Sequence, residues 1–83
     1  MTFRLVYTER AARDIRALDS GTRVRIGHAL RRLGQDPARN SKRQTQPALG
    51  TYRYRVGDYR IIFDITGSDL VILRVGHRST IYR

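Results

Sequence analysis

From Tyr52 to Val56, aromatic and aliphatic residues alternate with Arg53 and Arg55. From Tyr59 to Thr66 the alternation resumes, with Tyr59, Ile61, Phe63 and Ile65 in phase. Successive side chains of a strand point to opposite faces, so each run reads as a strand with one apolar side. Between them stands Gly57-Asp58, a two-residue connection with glycine first, as a type II′ hairpin turn needs. Such a turn fixes the register. Val56 then faces Tyr59, Arg55 faces Arg60, Tyr54 faces Ile61 and Arg53 faces Ile62. Tyr52, Tyr54, Tyr59, Ile61 and Phe63 share the side suited to a core, and Arg53, Arg55 and Arg60 share the other, open face.

The rest of the chain has to supply a cover for that aromatic side. Thr2 to Tyr7 alternates, with Phe3, Leu5 and Tyr7 in phase, and reads as a first strand. Thr8 can cap a helix whose first turn carries Glu9 and whose apolar stripe is Ala11, Ala12, Ile15 and Leu18. Asp19-Ser20-Gly21 breaks it. A second helix, capped by Ser20 or Thr22, presents Ile26, Ala29, Leu30 and Leu33 and stops near Gly34, ahead of Asp36-Pro37. The tight connection predicts an antiparallel helical hairpin. From Asp36 to Gly50 periodicity vanishes, and the polar, basic segment reads as an exposed loop. Thr66-Gly67-Ser68-Asp69 turns again, Leu70 to Val75 forms a last strand, and Gly76 ends it before a short tail. The order β-α-α-β-β-β predicts an α+β fold, with the helical hairpin packed on one face of an antiparallel sheet. The first strand is expected to join that sheet, since alone it would be an exposed edge. Residues 1–83 are expected to form one domain, the chain being too short for two cores.

Charge narrows the partner. Seventeen Lys and Arg against seven Asp and Glu leave a formal charge of +10, and every basic residue except Lys42 is arginine. Arginine's planar fork of donors matches phosphate oxygens two at a time and stays charged at any working pH. A solvated basic surface is the plainer account, but an excess of this size favours a polyanion. Lys42, Arg43, Arg74 and Arg83 are expected to extend an RNA-binding surface around the arginine face. The absence of cysteine excludes a disulfide framework and any Cys-based zinc or redox site. His28 and His77, without a carboxylate cluster, make no metal site. No Gly-rich phosphate loop, Ser-His-Asp constellation or acidic dyad is present, so no cofactor is expected. The N-terminal apolar run is too short for a signal peptide, and no stretch approaches the roughly 20 apolar residues of a membrane span. The expectation is a cytoplasmic protein with no membrane partner.

Two arginines directly across a hairpin repel, by about 0.2–1 kcal/mol. Folding asks for no such pair, and local rules are broken mostly where function requires it. The cluster therefore points to an anionic ligand, phosphate first. Tyr82, close to the end, could fold back and stack on a base or plug the edge of the core. His77 could act as acid or base near neutral pH or serve a structural role at the strand end, and His28 reads as a helix-surface residue.

The run from Tyr52 to Phe63, followed by Leu73-Arg-Val-Gly-His-Arg78 and Ile81-Tyr82-Arg83, resembles the RelE/ParE superfamily of bacterial and archaeal toxins. The likeness extends to the N-terminal strand and helical hairpin. It implies a microbial RNase-like α+β fold. Ribosome-dependent members cleave mRNA in the ribosomal A site and are silenced by a cognate antitoxin. In that branch the site is a basic cluster with a C-terminal tyrosine, which carries over to Arg53, Arg55, Arg60, Arg78 and Tyr82. The implied reaction is metal-free attack of an RNA 2′-OH on the adjacent phosphate. Arg53, Arg55 and Arg60 would stabilise the transition state, Arg78 would sit at the leaving oxygen, and Tyr82 would orient the base or the 2′-OH. Two positions often filled by lysine hold arginine here. A guanidinium is a poor proton acceptor, so the general base is left open. The other branch implies a ParE-like inhibitor that binds DNA gyrase without nuclease chemistry, and a third reading is an inactive RNA-binding relative. Either toxin reading implies an acidic antitoxin wrapping this basic chain.

Overall fold

The computed structural model describes residues 2–37, 41–43 (backbone only) and 52–81. Its elements are β1 (Arg4–Tyr7), α1 (Glu9–Arg16), α2 (Ser20–Gln35), β2 (Ser41–Arg43), β3 (Tyr52–Val56), β4 (Tyr59–Thr66) and β5 (Asp69–His77). The strands form one sheet in the order β1-β5-β4-β3-β2. On one face, Tyr54, Ile61, Phe63, Leu70, Ile72 and Val75 pack in a single cluster with Ile26, Ala29, Leu30 and Leu33 of α2 and Ala11 of α1. The expected α+β architecture is present, with all four residues of the second helical stripe buried.

The hairpin register is the expected one: Val56 pairs with Tyr59, Arg55 with Arg60, Tyr54 with Ile61 and Arg53 with Ile62. Gly57 has φ of 59°, a left-handed value that an L side chain rarely adopts, which explains glycine as the first turn residue. The Tyr52 and Phe63 rings stack across the pair at 5.5 Å.

Four details differ from the sequence-based expectation. The sheet is mixed, because β1 runs parallel to β5 while the other three neighbour pairs are antiparallel. Strand direction across a long crossover leaves no local mark in a sequence. Within the expected loop, Ser41–Arg43 adds a short fifth strand to the free edge of β3. Pairing at that edge, rather than any hydrophobic alternation, defines it. The cap of α2 is Asp19, one residue earlier than expected; its backbone is extended, and its carboxylate accepts the Thr22 N–H at 3.3 Å. Those hydrogen bonds hold the Asp19 carboxyl below the usual range.

Finally, Gly76 lies inside β5 rather than ending it, paired with Arg60. Upstream of it the register shifts: Phe63 faces Ile72 but Ile62 faces Arg74, leaving Leu73 as the extra residue of a β-bulge. The bulge changes which residues face the core. Leu70 and Ile72 face it before the bulge and Val75 after it, so Arg74 is kept off the apolar side.

Beside the bulge, β1 has ended and α1 begins. The Thr8 hydroxyl accepts the Ala11 N–H at 3.0 Å and donates to the Leu73 carbonyl at 3.2 Å. Thr8 thus caps the helix and ties down the bulged carbonyl. Thr8→Ala should lower unfolding free energy by about 2 kcal/mol, the sum of a missing cap and a missing hydrogen bond, measured by urea denaturation. A decrease under about 0.5 kcal/mol would show that neither bond matters.

Candidate functional site

The face away from the helices is ordered by register into two rows. Arg55, Arg60 and Gly76 lie side by side on β3, β4 and β5. The next row runs from Lys42 on β2 through Arg53 and Ile62 to Arg74. Arg43 occupies the position opposite Tyr52, one step out of phase with Lys42. The side chains of Lys42 and Arg43, and all of Tyr82 and Arg83, lie outside the described residues.

This face is less open than expected. Ile62 is fully buried although it points away from the core, and Arg60 is only 8% exposed. The cover comes from the tail. After β5, Ile81 N–H and Thr80 N–H both return to the His77 carbonyl, and the turn brings Ile81 back over the sheet. A Cβ built on Gly76 would lie 3.5 Å from Ile81 Cβ, so glycine leaves the room into which Ile81 settles, itself 1% exposed.

Arg60 is therefore a largely buried cation. Its Nη1 donates to the Gly57 carbonyl at 3.5 Å and the Tyr59 carbonyl at 3.3 Å. Among the described residues, no carboxylate pairs with Arg53, Arg55 or Arg60. A buried charge without a counter-ion is costly, and an arriving anion would offset that cost. Arg55 is exposed and Arg53 half-buried.

Arg78 joins the cluster from the tail. Its N–H donates to the Asp58 carbonyl at 2.8 Å, and its Nε meets the Asp58 carboxylate at 3.5 Å, with both side chains mostly in solvent. From the helix side, Arg25 reaches the same turn, its guanidinium 2.8 Å from where a Gly57 Cβ would stand. Neither Asp58 nor Arg25 stood out in the sequence as part of a site. A helix-face arginine beside an apolar stripe carries no signal of its own.

Arg74 is committed elsewhere. Its Nε donates to Asp14 of α1 at 2.9 Å, and the same carboxylate oxygen accepts the Val75 N–H at 3.0 Å. With β1 finished, this carboxylate takes the place of a strand neighbour for Val75. His77 is on the Tyr59 side of the sheet, its ring edge-on to Tyr59 at 5.4 Å. Ser79 N–H donates to its Nδ1 at 3.1 Å, and Ser79 Oγ lies 2.7 Å from the same nitrogen. His77 holds the tail turn and faces away from the guanidinium rows. His28 is exposed on α2.

Four arginines thus gather around one hairpin turn: Arg53, Arg55 and Arg60 from the strands and Arg78 from the tail. They can neutralise a phosphate from several directions as charge-assisted donors, with Arg60 held in place by its carbonyl contacts. Among the described residues no group of three His, Cys, Asp or Glu could hold a metal ion, and no helix is long and apolar enough to cross a membrane. On the opposite side, α1, α2 and Tyr7 border an open apolar groove of about 410 Å³, with Ile15, Ile26 and Leu30 in its lining and Arg16 and Arg23 at hand.

Residues 5–82 match the family model of the ParE toxin of type II toxin–antitoxin systems, parDE. Toxin RelG of Mycobacterium tuberculosis (strain ATCC 25618 / H37Rv) is 33% identical over 86 residues, covering 100% of this chain and 99% of that protein. The crystal structure of the toxin–antitoxin complex RelBE2 of Mycobacterium tuberculosis superposes with a TM-score of 0.82 at 30% identity, over 94% of this chain and 100% of that one. The RelB–RelE antitoxin–toxin complex of Methanococcus jannaschii gives a TM-score of 0.71 at 25% identity, over 93% and 94% of the two chains.

Proposed function

Because the chain belongs to the ParE toxin family of type II toxin–antitoxin systems, within the RelE/ParE superfamily, we propose that it is a ribosome-dependent mRNA endonuclease silenced by an acidic antitoxin. The observation that carries this reading is Arg60: a cation 8% exposed, opposite Arg55, with only carbonyls for partners among the described residues. A pure docking surface has no use for a buried, uncompensated charge, whereas stabilising a transition state's extra negative charge requires one preorganised there.

In the proposed reaction the RNA 2′-oxygen attacks the adjacent phosphorus and the bond to the 5′-oxygen breaks. The products are a 2′,3′-cyclic phosphate and a 5′-hydroxyl. Arg60 and Arg55 face the two non-bridging oxygens, Arg53 extends the positive row along the strand, and Arg78 lies at the departing oxygen. Tyr82 stacks on or orients the attacked nucleotide. Lys42, which shares its row with Arg53, and Arg43 and Arg83 add phosphate contacts. Arg74, held by Asp14, serves as a clamp on the fold. The cleavage site would be cytoplasmic, on the translating ribosome.

The groove on the helical hairpin supports the antitoxin half of the proposal. Its apolar floor and arginine rim suit an amphipathic acidic segment, and the relatives solved with antitoxins support such a partner. The match to the ParE model favours one second reading, binding of DNA gyrase without cleavage.

The test is to supply the toxin to a translating extract and map mRNA 5′ ends, with a gyrase supercoiling assay alongside. Codon-phased ends that fall steeply but measurably in Arg78→Ala, and fall in Tyr82→Phe, are expected. Loss of supercoiling with no codon-phased ends would replace the nuclease with the gyrase reading.

A further inference from the structure

Asp58 is out of keeping with a phosphate site. The chain has seven carboxylates. Glu9 and Asp14 are on α1, Asp19 and Asp36 flank α2, Asp69 pairs with Arg4, and Asp64 lies opposite Val71. The seventh occupies the turn that joins Arg55 to Arg60 and touches Arg78. There it repels any polyanion that approaches. The turn itself does not call for the charge, since Asn or Ser suits a glycine-led turn equally well.

Two contacts from Asp58 converge on one residue. Its carbonyl takes the Arg78 N–H at 2.8 Å, which fixes where the tail leaves the sheet. Its carboxylate meets Arg78 Nε at 3.5 Å, which fixes where the guanidinium goes next. Without that partner a mostly solvent-exposed arginine spreads its head group over many rotamers. Resting on the nuclease reading above, we infer that Asp58 is a positioning residue, which holds Arg78 by its Nε side at the end of the Arg55–Arg60 row before RNA arrives. The carboxylate weakens RNA binding by repulsion and strengthens the chemical step by orientation, because a pre-placed group loses less freedom in the transition state.

Binding and cleavage should therefore move apart. Asp58→Asn keeps the backbone carbonyl and removes the charge. Its affinity for a single-stranded RNA oligonucleotide should equal or exceed the wild-type value, with an unchanged melting temperature. Its cleavage rate on saturating ribosomes programmed with a defined A-site codon should fall about fivefold, the upper end for an exposed ion pair. In an Arg78→Ala background the same substitution should cause no further loss, since the two residues act as one. Nitrogen relaxation of the Arg78 Nε–H should report a restrained side chain in the wild type and a freely moving one in Asp58→Asn, with the Arg78 amide alike in both.

Cleavage by Asp58→Asn at the wild-type rate, or identical Nε–H motion in the two proteins, would overturn the inference. So would a further loss in the Arg78→Ala background, since Asp58 would then act on RNA itself, as a proton acceptor. If the wild-type chain makes no codon-phased ends, the nuclease reading falls, while the relaxation comparison still decides whether Asp58 orders Arg78.

Discussion

Arg60→Met is expected to abolish codon-phased mRNA cleavage, by a factor of about 100 or more, while leaving the protein as stable as the wild type or more so. The two halves have one cause. Arg60 is 8% exposed, and among the described residues it donates only to the Gly57 and Tyr59 carbonyls and meets no carboxylate, so none of them compensates its charge. Replacing a buried ion pair or triad by apolar residues of similar volume is commonly neutral or stabilising by about 1–4 kcal/mol, and a cation with no carboxylate partner has less attraction to lose. Methionine supplies an apolar side chain of similar reach and removes the repulsion from Arg55. The same substitution removes a donor fixed where negative charge develops, and loss of one such donor lowers rates by about 100- to 1000-fold. Arg60→Lys retains the charge without the fork and should fall between the two. End-mapping in a translating extract and a thermal melt, run on the same preparations, read both quantities. A Met variant that cleaves nearly as fast as wild type would remove Arg60 from the chemistry. One that melts far below it would show that the guanidinium serves the fold.

This opposition of stability and activity was partly legible in the sequence. Gly57-Asp58 determined the register of the cross-strand pairs, so Arg55 opposite Arg60 followed from alternation and a turn rule alone. Periods of 2 and 3.6 likewise located both helices and the stripe of α2. What alternation could not reveal is that Arg60 is covered. Ile81 returns across Gly76, the residue paired with Arg60, and such a meeting of tail and strand has no periodic signal. The parallel pairing of β1 and the short β2 were hidden for the same reason, each being defined by its partner rather than by its own pattern. The bulge did leave a trace. Leu70 and Ile72 are in phase and Val75 is out of phase with them, the slip that one inserted residue produces. That slip moves Arg74 and Gly76 to the arginine face and His77 to the Tyr59 side, which lowers His77 as a candidate acid or base.

Asp14→Ala is expected to lower the unfolding free energy by about 3 kcal/mol, the low end of what stripping one partner from a buried ion pair costs, because this pair is only partly buried. Asp14 and Arg74 retain only 14% and 18% side-chain exposure, at 2.9 Å. Alanine leaves Arg74 without its anion and Val75 N–H without an acceptor, at the point where β1 no longer borders β5. For a chain of 83 residues that is a large share of the whole stability. Asp14→Asn separates the two effects, because the amide oxygen can still accept from Val75 while the charge is gone, and it should be clearly the milder variant. Asp14→Ala with Arg74→Ala should recover part of the destabilisation, since Arg74 no longer stands unpaired and only the mostly exposed Arg10, 3.5 Å from Asp14, loses its anion, and urea denaturation of the single and double variants gives the coupling directly. Arg74 is also where the clamp can be told from a phosphate ligand. Removing one arginine–phosphate pair lowers the slope of log affinity against log salt by about 0.7 on single-stranded RNA. Arg55→Ala should show that drop and Arg74→Ala should not, because Asp14 already neutralises it. A drop of equal size in Arg74→Ala would mean that RNA draws Arg74 away from Asp14, and the bulge would then be part of the binding face rather than its support.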